Sequence, residues 1–378
     1  MLIETAPDQM TGLAGDILTA VKAIGPALVS DGARYDISAQ FPVDSVARLR
    51  EAGLDRHFAP PESGGETFGD AATEHHALMH ALRLVGRADL SLGRIFEGHA
   101  NALKLFSWYG TPAQKAYLRT QLREGAFFGV WATEAPPGVT LTKDGDRVRL
   151  SGAKVFATGA GSLSHAIVTA KTPEGTTQLV VVPANDDKRT DLSAWRVRGM
   201  RATASGRYDL DGLIPQPLDL LGAPDDYGRE PRFTAGAWRF LAVQLGGIEA
   251  LLAETRLAMS EAARADPLQR AKFGEAVVAT RTAYLWVREA CTRAASERDD
   301  APDFVRLTRG VVERAALDVM ELAARIVGTR SAFEGQRIDK ITRDLSLYLR
   351  QAHPDQARDV AAKAWLDRDV WGEGDLLW

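Results

Sequence analysis

Two short segments of this chain place an aromatic residue two positions before a threonine. They are Trp131 with Thr133, in Phe127-Phe128-Gly129-Val130-Trp131-Ala132-Thr133-Glu134, and Phe156 with Thr158, in Gly152-Ala153-Lys154-Val155-Phe156-Ala157-Thr158. On an extended strand residues i and i+2 share a face, so each pair can offer one ring and one hydroxyl to a flat aromatic ligand. The same hydroxyls can equally be satisfied within their own sheet. A third group is Arg270, in Arg270-Ala271-Lys272-Phe273-Gly274. Its guanidinium is a planar fork suited to a diphosphate, although an arginine at a helix start is as much at home in solvent.

The elements that must position these groups change type twice along the chain. Up to about residue 125 the apolar spacing is helical: Leu13, Ile17, Leu18, Val21 and Ile24 mark a helix over 10–24, Pro42 to Gly53 a short one, and 71–84, 90–109 and 112–123 three more. From 126 to 228 the pattern is that of strands, at 147–150, 165–171, 178–183 and 206–210, with turn signals at Asp144-Gly145-Asp146 and Pro173-Glu174-Gly175. An antiparallel barrel or sandwich is the expectation for this part. A loop rich in Pro, Gly and Asp over 215–231 reads as a boundary. Beyond it Pro267, Pro302 and Pro354 separate long helical patterns over 238–265, 268–298, 304–327, 341–351 and 355–367, which predict an antiparallel bundle. The expected organisation is α+β: a helical domain (1–125), a central β domain (126–228) and a helical bundle (229–378).

Composition narrows the function. The chain has 378 residues, 45% of them apolar and 25% charged, with a net charge of −4, so neither nucleic acid nor an anionic membrane is an expected partner. A single cysteine, Cys291, excludes an internal disulfide and a cysteine-rich metal site. The first residues carry acids and no signal-like apolar run, and no stretch approaches the roughly 20 apolar residues that span a bilayer. A soluble, cytoplasmic protein without a metal is the expectation.

In this order the pieces resemble the acyl-CoA dehydrogenase family. Phe41-Pro42, Leu49 to Leu54 and Pro60 to Gly65 look like its entry segment, and His99 with Tyr109-Gly110-Thr111-Pro112 like its fourth-helix region. Trp131-Ala132-Thr133-Glu134 is similar to its Thr-Glu-Pro strand, Gly152 to Thr158 to its Gly-x-Lys-x-Trp-x-Thr strand, Arg270 to Gly274 to its Arg-x-x-Phe-Gly motif, and Arg343-Asp344 to its Arg-Asp pair. The resemblance covers nearly the whole chain. It implies FAD extended between the β domain and the bundle, with its diphosphate reaching a neighbouring subunit of a homodimer or homotetramer. The cofactor contacts it implies are Trp131, Thr133, Phe156 and Thr158 at the ring, and Arg270, Phe273, Gly274, Arg325 and Gly328 at the distal half. Two motifs have drifted. Val139 stands where the family has a flavin-binding serine, and Arg325-Ile326-Val327-Gly328-Thr329 keeps one glycine of Gln-x-x-Gly-Gly.

Removing an α-proton from an acyl thioester requires a carboxylate in an apolar pocket with a raised pKa. The family's glutamate lies nine residues after the Arg of Arg-Asp, and here that position is Ala352; its alternative position falls in Ala235 to Phe240, which holds no acid. Glu249, His353 and Asp355 are the nearest substitutes. Three functions follow from the resemblance. The first is an FAD-dependent dehydrogenase of an acyl-CoA or related substrate, passing electrons to an electron-transfer flavoprotein. The second is a flavin-dependent monooxygenase served by a flavin reductase, which needs no such base. The third is a non-catalytic subunit of a hetero-oligomeric enzyme.

Overall fold

The computed structural model describes residues 13–366 except 146 and 352. Five helices come first: α1 (Leu13–Ser38), α2 (Val43–Glu51), α3 (Ala71–Ala88), α4 (Leu90–Tyr109) and α5 (Pro112–Arg123). Local signals set their starts. Asp70 Oδ1 accepts from Thr73 N, Asp89 Oδ1 from Leu92 N, and Thr111 with Gln114 forms a reciprocal cap. The first helix runs 14 residues past the expected Ile24, through Pro26, which sits on the exposed side of the helix. The start of that expected helix, before Leu13, lies outside the described residues.

The strands are β1 (Phe128–Trp131), β2 (Thr140–Asp144), β3 (Arg147–Ser151), β4 (Ala153–Ala157), β5 (His165–Lys171), β6 (Thr177–Pro183), β7 (Thr190–Asp191), β8 (Gly206–Asp209) and β9 (Leu220–Leu221). Here the expectation of an antiparallel barrel is corrected. Among the described residues the strands form an open six-stranded sheet, ordered β3-β2-β5-β6-β9 with β1 also on β5, and a separate three-stranded sheet β4-β8-β7. Moreover β1 runs parallel to β5, pairing Phe128–Trp131 with His165–Val168. The chain past Trp131 leaves β5 and crosses to β4, with Val155 N donating to Thr133 O and Ala135 N to Ala153 O. That departure prevents closure. Gly152 (φ 105°) permits the crossing, because a Cβ there would lie 2.2 Å from Gly138 O.

Then come α6 (Arg232–Ala235), α7 (Trp238–Ala258), α8 (Glu261–Ala265), α9 (Pro267–Ala295), α10 (Ala301–Val327), α11 (Arg337–Tyr348) and α12 (Pro354–Leu366). The expected single helix over 238–265 is two, since Ser260 begins a new one by accepting from Ala263 N. Pro267, Pro302 and Pro354 sit in first turns, where a missing N–H costs nothing. Asp367, the last residue of the expected final helix, lies outside the described residues.

The core is continuous from α1 to α11. At its centre α4 is buried on nearly all sides from Leu90 to Phe106, against α3, α7, α11 and β1. The α3–α7 crossing is close because Gly246 carries no side chain: a Cβ would stand 2.1 Å from Arg83 O. No helix among the described residues is long and apolar enough to cross a membrane, and no cluster of three or more His, Cys, Asp or Glu among them could hold a metal ion.

Candidate functional site

The two aromatic-threonine pairs meet across the junction of β1 and β4, but not as simple alternation predicts. Trp131 is buried, its ring 5.1 Å from Tyr208 and its indole N–H donating to Thr158 O at 3.0 Å. Thr133, two residues on, is exposed because β1 has ended. On the other strand the pairing of β4 with β8 slips between Lys154 and Ala157, and Phe156 adopts φ 53°. This bulge turns the Phe156 ring outward, 66% exposed and 6.5 Å from Trp195. The Thr158 hydroxyl is shared with Ser205 at 3.1 Å, so its own surroundings already satisfy it. The expectation that both members of each pair share a face is therefore corrected. What the junction presents outward is the Phe156 ring and the Thr133 hydroxyl.

A buried ion pair fixes this junction. Lys154 Nζ lies 2.6 Å from Glu134 Oε1 and 2.8 Å from Thr169 Oγ1, while Glu134 Oε2 accepts from Val139 N at 3.1 Å. Val139 is itself fully buried. Burial lowers the Lys154 pKa despite the carboxylate beside it. Sequence reasoning matched Glu134 and Lys154 to motifs without seeing that they bind each other.

The distal group divides differently. Arg270 is exposed and donates to Arg264 O and Ala265 O, closing the end of α8. Arg325, also exposed, donates to Glu321 at 2.7 Å, and Gly328 (φ 71°) ends α10. Phe273 is half-buried and Gly274 exposed. Because α9 and α10 run antiparallel, these residues gather at one end of that hairpin. Their neighbours are other bundle helices, whereas β4 packs on β8 and β1, so one chain does not bring the two halves close together.

Each substitute base is either held in an ion pair or open to solvent. Glu249 is paired with Arg83 at 2.8 Å through Oε1, between α7 and α3, while its Oε2 is buried without a partner. His353 is exposed with φ 53°, and the Asp355 side chain is 95% exposed in the first turn of α12. Ala352 lies outside the described residues.

Sequence reasoning missed a polar cluster buried within α4. Arg94, Glu97 and Asn101 share one face at i, i+3 and i+7. Glu97 accepts from Arg94 through Oε2 and from Asn101 through Oε1, and Asn101 Oδ1 accepts from Arg239 Nε of α7. The Glu97 side chain is 4% exposed and that of Arg94 20%, so solvent reaches the arginine in the middle of the fold. Nearby, Tyr348 ends α11 with a buried hydroxyl that has no partner; burial and Glu97 push its pKa well up, so it stays a neutral donor. The available signal was charge in the middle of an otherwise apolar helix. One turn away His99 is fully used: Nε2 donates to Asp55 O at 2.6 Å and Nδ1 accepts from Phe128 N at 3.0 Å, tying α4 to β1.

No family model matches the chain. It is 24% identical over 344 residues to the dibenzothiophene monooxygenase of Rhodococcus erythropolis, covering 79% of this chain and 80% of that protein. Among solved structures, FMN-bound TdsC from Paenibacillus sp. A11-2 superposes with a TM-score of 0.83 at 20% identity, over 93% of this chain and 97% of that one. The butyryl-CoA dehydrogenase of Megasphaera elsdenii gives 0.81 at 17% identity, over 94% and 98%. A helical block, a small β unit and a helical bundle arranged as in these structures give the chain the acyl-CoA dehydrogenase-like fold, which monooxygenases and dehydrogenases share.

Proposed function

We propose that the protein is a flavin-dependent monooxygenase. The observation that carries this reading is the state of its acids. Both Glu97 oxygens are engaged, Glu249 is held in an ion pair with Arg83 through one oxygen, and Asp355 faces solvent. An acyl-CoA dehydrogenation needs a free carboxylate beside the α-carbon, whereas transfer of an oxygen atom from dioxygen needs none. When bound, flavin supplies the two-electron reduction of dioxygen, with a separate flavin reductase as electron source. On this reading Phe156 and Thr133 flank the ring, with Trp131 and Thr158 behind them. Arg270, Phe273, Gly274, Arg325 and Gly328 meet the distal half of the flavin of a second copy. The exposed Val278, Leu285 and Leu317 on the α9–α10 hairpin support packing against that copy. Likeness to a dibenzothiophene monooxygenase and to FMN-bound TdsC favours the same reaction.

A second reading, α,β-dehydrogenation of an acyl thioester, is favoured by the fold shared with butyryl-CoA dehydrogenase. The test is to load the protein with FAD or FMN and identify which is retained. The bound flavin is then challenged anaerobically with acyl-CoA thioesters, and, once chemically reduced, with oxygen and a panel of small organic substrates. No bleaching by thioesters, with a product heavier by one oxygen atom, is the expected result. Bleaching by a thioester would transfer the assignment to the dehydrogenase, and failure to retain either flavin would leave a non-catalytic subunit.

A further inference from the structure

Gly98 occupies an unusual place on α4. It is buried, yet a Cβ built on it meets no atom within 4 Å, whereas at Gly86 and Gly93 the same atom would strike Val243 at 2.5 Å. Those two glycines allow close helix packing; Gly98 faces a cavity. The helical period sets Arg94 and Asn101 on the same side, one turn to either side of it, with Glu97 adjacent. Solvent enters at Arg94.

The electrostatics of this cavity are unbalanced. Two cations, Arg94 and the buried Arg239, lie beside one carboxylate, Glu97. Burial keeps His75 neutral, so one positive charge is in excess. The Arg239 guanidinium lies 5.8 Å from the Trp108 ring centroid and 5.7 Å from that of Trp238, with the neutral Asn101 oxygen as its acceptor. The Tyr348 hydroxyl adds a buried donor without an acceptor. An uncompensated buried cation and an orphan donor both call for an anion.

We propose that the cavity beside Gly98 binds a small organic anion, a carboxylate or sulfinate, whose charged oxygens are met by Arg94 and the Tyr348 hydroxyl. This rests on the flavoprotein reading only in taking that anion to be the molecule oxidised. Binding is measured by calorimetry on the full chain, with benzoate and benzenesulfinate against the neutral isostere benzamide. Flavin retention is followed separately by absorbance. The anions are expected to bind at least tenfold more tightly than the amide. Gly98→Leu, which fills open space, is expected to abolish binding without lowering the unfolding temperature. Arg94→Gln should weaken it tenfold or more. Tyr348→Phe should weaken it several-fold in a protein as stable as the parent. Equal affinity for benzoate and benzamide, no binding of either, or unchanged binding in Gly98→Leu would each overturn the proposal. Anion binding by a protein that retains no flavin would uphold the pocket and remove the oxygenase.

Discussion

Two buried ionic networks lie along α4, and they differ in completeness. At the helix start, Lys340 Nζ lies 2.6 Å from Asp89 Oδ2 and 2.7 Å from Asp344 Oδ2; Asp89 caps α4, and Asp344 Oδ1 accepts from Met200 N. Beside them Arg343 binds Asp36 and Asp339 at 2.8 Å each and donates to Arg198 O at 2.6 Å. Both carboxylate oxygens of Asp89 and of Asp344 are used. Burial opposes the charge on Lys340, but Asp344 and Asp89 outweigh it and hold its pKa above the ordinary lysine value. Half-way along the helix, Arg94, Glu97, Asn101 and Arg239 are linked as well, but they border open space and an unpartnered tyrosine. A network that uses all its donors and acceptors holds elements together. One that leaves charge and a donor over, next to a cavity, is built to be completed by something else.

Stability measurements can break this contrast. Asp344→Ala leaves Lys340 buried with half its partners and frees Met200 N, and should cost about 3–5 kcal/mol in denaturant unfolding. A cost near zero would mean that the network at the helix start is dispensable. Acid should act on another saturated group, His99. Burial lowers His99 from 6.5 to about 4 in the fold, and its neutral form is required because Nδ1 accepts from Phe128 N. The unfolded state therefore binds more protons between these values. The histidine's contribution is complete above about pH 6.5 and disappears as pH falls through 4, a loss of about 3 kcal/mol that His99→Gln should remove from the pH profile. Arg94→Gln, on the open side, should cost less, about 2 kcal/mol, since solvent already reaches that guanidinium. Gly98→Ala should raise stability by about 1 kcal/mol, because a helix interior favours alanine and the methyl group meets nothing. The smallest effect belongs to Tyr348→Phe, within about 0.5 kcal/mol, since its hydroxyl has no partner to lose. A large destabilisation there would place this hydroxyl in the closed network.

Much of the architecture was legible because it is written locally. The bounds of α4 and α5 follow from Asp89, Thr111 and Pro112, and β5 from its β-branched run. The candidate site was legible in part. Trp131, Thr133, Phe156 and Thr158 do come together at one junction, yet the outward turn of Phe156 depends on a bulge that alternation cannot reveal. The open sheets go with backbone pairing of 133–135 with 153–155, beside the Lys154–Glu134 ion pair between residues 20 apart.

The sequence by itself determined the order of helices and strands and most of their bounds, because caps, prolines and apolar periods act over a few residues. Only the tertiary structure decided the fate of the acids and the character of the interior site. Arg239 reaches Asn101 across 138 positions and Arg83 reaches Glu249 across 166. A charge on an apolar helix reads the same whether it is saturated or waiting for a ligand, until packing brings its partners to it.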